Sequence, residues 1–206
     1  MDGGYDSGYR ACPCFWGLEP GKLVRQIVEL MPDLAGARIL DVGCGEGKNA
    51  AFFALRGAMV SAVDVSDLAI AHAKQLWPAA ADWQTCDART LNYEREAYDI
   101  VIAYGLMHCL RDEDEIARLV DNLQRCTRLG GYHAIVALNS RKQDLRAHPE
   151  LRPCLLSHSD YLAQYTMWKI IFEEDVELKE THPHNLIPHT HSLTRILAQK
   201  PPHELP

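Results

Sequence analysis

Hydrophobic positions change their spacing repeatedly along the chain, and the changes predict alternating helices and strands. Leu23, Val24, Ile27, Val28 and Met31 recur at the spacing of one helical face. Pro32 has no N–H to donate and ends that helix. Residues 37–41 (ARILD) read as a short buried strand, followed by a glycine-rich turn and a helix from about Lys48 to Leu55. Residues 58–64 (AMVSAVD) give a second strand, and Leu68, Ile70, Ala71 and Ala73 return to helical spacing over 66–76. Residues 83–86 suggest a third strand. Residues 98–104 (YDIVIAY) are β-branched and apolar on both faces, as a strand between two helical layers must be. Residues 112–128 carry the stripe Ile116, Leu119, Val120 and Leu123, with acids at the start and Arg125 and Arg128 near the end, which complements the helix dipole. Gly130 is the expected C-terminal cap. Residues 132–138 form a fifth strand.

The ends differ from this middle. Residues 1–17 read as an irregular arm, and 140–158 as a loop or short insertion. A helix is expected over 161–168, then two strands at 170–181 and 192–200 joined by a histidine-rich link. Alternation of strand and helix predicts an α/β fold: a doubly wound, mostly parallel seven-stranded sheet, helices on both faces, and a C-terminal antiparallel hairpin. One domain over 1–206 is expected, with an arm or lid at 1–17, a cofactor-binding core at 18–139, and a substrate-side insertion and hairpin at 140–206.

Composition narrows the classes. The chain has 206 residues, 47% of them hydrophobic and 24% charged, which excludes a disordered polymer. Its net charge of −7 makes it a poor sequence-independent binder of nucleic acid, so no nucleic-acid partner is expected. No apolar run approaches the roughly 20 residues of a membrane span. MDGGYDSGYR lacks a basic start followed by an apolar core, so no signal peptide is read there. Seven scattered cysteines without an export signal suggest a reducing cytoplasm. Cys12-Pro13-Cys14, the one close pair, is spaced more tightly than zinc ligands usually are and reads as part of a packed arm. A monomer or homodimer is expected.

The chemistry starts in the glycine turn. Asp41-Val42-Gly43-Cys44-Gly45-Glu46-Gly47 follows a strand and opens a helix. Glycines there permit a tight turn and close approach of a ligand to the backbone. A dinucleotide fingerprint would need a third glycine where Lys48 stands, which disfavours a nicotinamide oxidoreductase. The carboxylate of Asp41 suits a ligand with a cationic amine. Asp64 ends the second strand, where an acid can accept from both ribose hydroxyls. Asp87 follows the third strand, where a carboxylate can accept from an adenine amino group. An amine, a ribose and an adenine are the polar parts of S-adenosyl-L-methionine.

Residues 39–110, through ILDVGCGEGKNAAFFA, VSAVDVS, CDARTL and YDIVIAYGLMHCL, resemble the class I Rossmann-like methyltransferases. The resemblance implies that Asp41, Gly43, Gly45 and Gly47 surround the methionine part of the cofactor. It implies Asp64 at the ribose, Asp87 and Ala88 at the adenine, and Tyr104 on the sulfonium side, with Cys44, Asn49 and Val65 as further cofactor contacts. S-adenosyl-L-homocysteine would be the product. A narrower resemblance, through NLQRCTRLGGYHAIVA, EEDVELKE and TRILAQK, is to the TehB-type tellurite-resistance methyltransferases. It implies a small-molecule methyl acceptor, possible classes being a soft chalcogen oxyanion, a thiol or an amine.

The acceptor side rests on less. In open parallel sheets ligands bind beyond the carboxyl ends of the strands. The link between the last two strands holds His182, His184, His189 and His191, and each His-x-His pair projects to one face if the chain is extended. Three readings stay open: a solvated loop, a substrate wall with His189 or His191 as base and His182 and His184 as contacts, or a metal site. The metal reading has a rival function attached, a cofactor-fold protein that binds a metal ion without catalysis. His108, after the fourth strand, is a further base candidate, and Arg141, after the fifth, could hold an oxyanion. Tyr9, Phe15 and Trp16 form an aromatic cluster that either closes over the cofactor or fills core space. Trp16 is then a cofactor contact and Tyr9 a substrate contact.

Overall fold

A computed structural model describes residues 4–182 and 186–202. Its strands are β1 (Arg38–Val42), β2 (Met59–Asp64), β3 (Asp82–Thr85), β4 (Tyr98–Tyr104), β5 (Thr127–Gln143), β6 (Lys169–Glu180) and β7 (His189–Gln199). Its helices are α1 (Asp6–Ala11), α2 (Lys22–Leu30), α3 (Lys48–Ala54), α4 (Asp67–Leu76), α5 (Glu113–Cys126) and α6 (His158–Ala163). The seven strands form one sheet in the order β3-β2-β1-β4-β5-β7-β6. β1 to β5 pair in parallel, β7 runs antiparallel to β5, and β6 antiparallel to β7. This is the expected doubly wound sheet with a closing hairpin.

Alternation along each strand feeds two cores. On one face Leu40, Val42, Val101, Ala103, Ile135 and Ala137 pack on Ile116, Leu119, Val120 and Leu123 of α5 and on Tyr161 of α6. On the other, Ile39, Ala62, Ile100, Ile102, Ala134 and Val136 pack on Leu23, Val24 and Ile27 of α2, Phe53 of α3 and Ile70 of α4. A strand with period two can serve both layers only if neither parity is polar, which explains the unbroken apolar run in β4.

Four local expectations are corrected. Gly130 does not cap α5: the helix ends at Cys126, Thr127 turns extended, and Gly130 sits with φ +78° inside β5, donating to the Lys200 carbonyl. The arm is not wholly irregular, since it contains α1. The helix expected at 161–168 is α6, which starts earlier because Ser157 and Asp160 form a reciprocal capping box. His189 and His191 lie in β7 and not in the link, because β6 and β7 stay paired out to Glu180 and His189. β6 runs in the same sense as β5, so the hairpin turn opens at the carboxyl end of the sheet.

Candidate active site

The carboxyl ends of the strands surround a cavity of about 370 Å³, within the range of small-ligand sites. Its first end is built from the chain between β1 and β2. The Gly43 and Cys44 amides donate to the Val63 carbonyl at 2.8 and 3.0 Å, which folds the glycine turn back over β2. Gly45 has φ +53°, and a Cβ there would stand 3.0 Å from the Tyr9 hydroxyl. Gly47 has φ +81°, and a Cβ would run into the Trp83 ring. Both positions therefore require glycine.

Two carboxylates support this turn from different depths. Asp64 accepts from the Gly45 amide at 2.8 Å and the Ser66 amide at 2.9 Å, and it faces the cavity. Burial raises its pKa, and those amides partly offset the rise. Asp41 is buried beneath the turn and does not line the cavity. The Ala50 amide lies near it, but neither carboxylate oxygen closes a hydrogen bond. Burial first, and Asp64 second, push its pKa up to about 7. Asp41 thus stands one layer behind the residues that line the cavity, with both carboxylate oxygens unpartnered. Gly47 also stands behind the wall.

Cys44, Asn49, Val65, Asp87, Ala88 and Tyr104 do line the cavity. Asn49 accepts from the Gly21 amide at 2.9 Å and so fixes the approach to α2. Asp87 is clamped by Arg89 at 2.6 to 3.1 Å, and the hydrogen bonds from that guanidinium hold its pKa below the usual carboxylate range.

The arm closes one side. Asp6 of α1 accepts from Ser66 Oγ at 2.5 Å, the Cys14 amide donates to Glu46 at 2.9 Å, and Lys48 donates to the Trp16 carbonyl at 2.7 Å. These ties present Tyr5, Tyr9 and Trp16 to the cavity. Trp16 donates its indole N–H to the Tyr9 hydroxyl at 3.3 Å.

The far end comes from the hairpin. Register sets His189 opposite Glu180 and His191 opposite Leu178, and alternation puts His189, His191, Leu193 and Arg195 on one parity of β7. Glu180, His191 and Arg195 line the cavity, joined by His148 from the loop after β5. His189 and His191 are each 2% exposed. Burial, then His189, pulls the pKa of His191 down to about 4, so its imidazole is neutral at physiological pH. His182 lies outside the cavity wall, its ring stacked on Phe15 with centroids 4.9 Å apart. His184 lies outside the described residues.

Two candidates are corrected. His108 is 2% exposed, and its Nδ1 accepts from the Leu138 amide at 3.2 Å. Its one neutral lone pair is thereby used, and Nε2–H faces the Tyr5 hydroxyl at 3.1 Å. Burial, then His191, lowers its pKa to about 3. It presents a donor and not a base. Arg141 points away from the cavity, with Asp175 at 3.0 Å and Glu177 at 2.9 Å occupying its guanidinium. Sequence reasoning missed Tyr5, His148, Glu180 and Arg195. Arg195 carried one usable signal, its even spacing from His189 and His191.

Residues 39–131 match the family described as "Methyltransferase domain". Hemagglutinin 1 of Eikenella corrodens is 32% identical over 85% of this chain and 58% of its own length. A probable S-adenosyl-L-methionine-dependent methyltransferase, TehB of Haemophilus influenzae, is 26% identical over 55% of this chain and 40% of its own. Among solved structures, one described for conversion of a disulfide bond into a thioacetal group during echinomycin biosynthesis superposes with a TM-score of 0.73 at 22% identity, covering 99% of this chain and 94% of that one. Residues 39–131, a little under half of the chain, are thus similar to a methyltransferase-domain family, and probable TehB methyltransferases are among the relatives of the chain. The chain spans little more than half the length of the first of those relatives and well under half of the other. Among the described residues, no helix is long and apolar enough to cross a membrane.

Proposed function

We propose that this chain transfers a methyl group from S-adenosyl-L-methionine to a small molecule held against the β6–β7 hairpin. The supporting observation is the continuity of one cavity from the glycine turn, Asp64 and Asp87 to His148, Glu180, His191 and Arg195. The cofactor fits the first end. Gly43 and Gly45 line the cavity without a side chain, and Asp64 keeps acceptor lone pairs at its wall. Gly43 and Gly45 would hold the methionine part, Asp64 the ribose, and Asp87 with Ala88 the adenine. Asp41 would complement the amino group from beneath the turn. The cofactor supplies an electrophilic methyl on a sulfonium with a neutral leaving group.

The chain's own residues then have three tasks. Tyr9 and Trp16, anchored by Lys48 and Glu46, form a lid that excludes water; residues 1–17 act as that lid, 18–139 as the cofactor core and 140–206 as the acceptor side. Tyr104 and the hairpin hold the acceptor in line with the methyl, and such positioning supplies about 7–11 kcal/mol of the barrier. His191 borders the acceptor end of the cavity. Arg195 offers an anionic acceptor a counter-charge.

The test is incubation with methyl-deuterated cofactor and a panel of thiols, chalcogen oxyanions and small amines, read by mass spectrometry. A deuteromethyl product with equal release of S-adenosyl-L-homocysteine is expected. Release from no acceptor, with no binding of S-adenosyl-L-homocysteine, would overturn the reading.

A further inference from the structure

We propose that His148, Glu180, His189 and His191 form a binding site for one divalent transition-metal ion of the zinc class at the acceptor end of the cavity. The four side chains come from a loop and two strands, and one ligand atom from each lies within 4.8 Å of all the others. His148 Nε2 is 3.2 Å from His189 Nε2, and Glu180 Oε1 is 3.6 Å from His189 Nε2 and 3.9 Å from His191 Nε2. Two ligands bound at about 2.1 Å in a tetrahedral shell stand about 3.4 Å apart. The observed spacings match that shell with small contractions.

The tautomers carry the inference further. His189 Nδ1 lies 2.8 Å from the Ile187 carbonyl, which can only accept, so Nδ1 bears the proton. His191 Nδ1 lies 2.6 Å from Gln143 Oε1. The Gln143 amide is fixed in that sense because its NH₂ donates to the Asn139 and Ser192 carbonyls at 2.7 and 2.9 Å. Nδ1 of His191 therefore also bears the proton. Both Nε2 lone pairs then point at each other's surroundings and at the Glu180 carboxylate. Without an ion, the His148 Nε2–H donates to His189 Nε2 at 3.2 Å, and a cation bound by the cluster takes the place of that proton.

The supporting hydrogen bonds are those that orient metal-bound imidazoles: Nδ1–H to a carbonyl or amide oxygen, Nε2 to the ion. Three borderline imidazole nitrogens with one hard carboxylate oxygen suit zinc, cobalt, nickel or ferrous iron. His148, Glu180 and His191 border the cavity, and His189, 2% exposed, does not line it. His182 stands beside the site with Nε2 2.9 Å from that of His148, and its contact with Phe15 and Trp16 joins the site to the arm. The site does not rest on the methyltransferase reading.

The experiment uses the full chain, stripped with EDTA, dialysed and titrated with cobalt(II). One cobalt per chain is expected, with the visible bands of a low-coordinate ion on nitrogen and oxygen ligands. Zinc should displace it. The variant His189→Ala/His191→Ala should bind cobalt at least 100-fold more weakly, while His158→Ala should bind as the parent does. S-adenosyl-L-homocysteine is titrated into every form, which tests both the fold of the variants and the methyltransferase reading independently. Cobalt binding that is absent, or equal in parent and double variant while S-adenosyl-L-homocysteine binds both, overturns the metal site and leaves the methyltransferase reading intact. Cobalt binding without S-adenosyl-L-homocysteine binding upholds the site and overturns that reading.

Discussion

The two ends of the cavity are built from different materials. The glycine-turn end is mainly backbone: amides of Gly43 and Cys44 grip β2, and the Gly45 amide holds Asp64, all within one short stretch of chain. The hairpin end is all side chains, drawn together from His148, Glu180, His189 and His191 by strand register and a loop. A backbone site has one geometry that the fold already fixes, and a substitution harms it by adding atoms. A side-chain site is harmed by removing them. The first end suits an invariant cofactor, and the second suits an acceptor that differs between relatives of one fold.

The contrast can be broken most sharply at Gly45. Gly45→Val places a β-branched residue at φ +53° and against Tyr9, and it should cut the affinity for S-adenosyl-L-homocysteine by about 100-fold or more, an effect worth about 2.7 kcal/mol. Cobalt binding at the hairpin should persist in the same variant, and loss of both would show that the ends are not separable. Asp64→Ala comes next. Removing charge-assisted hydrogen bonds costs about 2 kcal/mol, so calorimetry should report a weakening of roughly 30-fold. Trp16→Ala opens the lid and should cost about tenfold in the same measurement, with unchanged circular dichroism.

Asp41 gives a pH-dependent prediction. Its folded-state pKa of about 7 lies above the ordinary carboxyl value of about 3.9. The native chain therefore holds a proton that the unfolded chain has lost between those values, and stability falls as pH rises through that window. Asp41→Asn removes the cost of the buried charge. The cofactor-free variant should melt several degrees above the parent at pH 8, with the gap shrinking to about a quarter or less near pH 4.5 and closing below about pH 3.9, checked by thermal scans across that range. A parent that gains stability from pH 4.5 to 8 relative to the variant would reverse the sign. The smallest effect is expected from His191→Ala on cofactor affinity, within about twofold, although the same change should slow methyl transfer. A large loss of cofactor affinity there would merge the two ends into one site.

The same difference explains what could be read in the chain. The sheet was legible because β1, β2 and β4 are short apolar runs between amphipathic helices. The glycine turn was legible because Asp41 to Gly47 and Asp64 lie close in sequence and each residue type answers a backbone demand. Asp41 shows the limit: its carboxylate was expected in contact with ligand, but it sits under the turn, a matter of depth that spacing cannot convey. The hairpin was half legible. His182, His189 and His191 stood out as a cluster, yet His148 had no signal of its own and Glu180 looked like one acid among many in β6. Only the pairing of Glu180 with His189, and the return of the loop after β5, place them together. Arg141 and His108 failed for a related reason. Their partners, Asp175 and Glu177 for one and the Leu138 amide for the other, are distant in sequence and consume the groups that chemistry would need.

The most direct measurement is calorimetric titration of the chain with S-adenosyl-L-homocysteine, with and without EDTA. One site per chain with the same affinity in both conditions is the predicted result, because the cofactor end owes nothing to a metal. No binding heat in either condition, from a chain that circular dichroism finds folded, would contradict the assignment of the glycine turn and Asp64 to that cofactor.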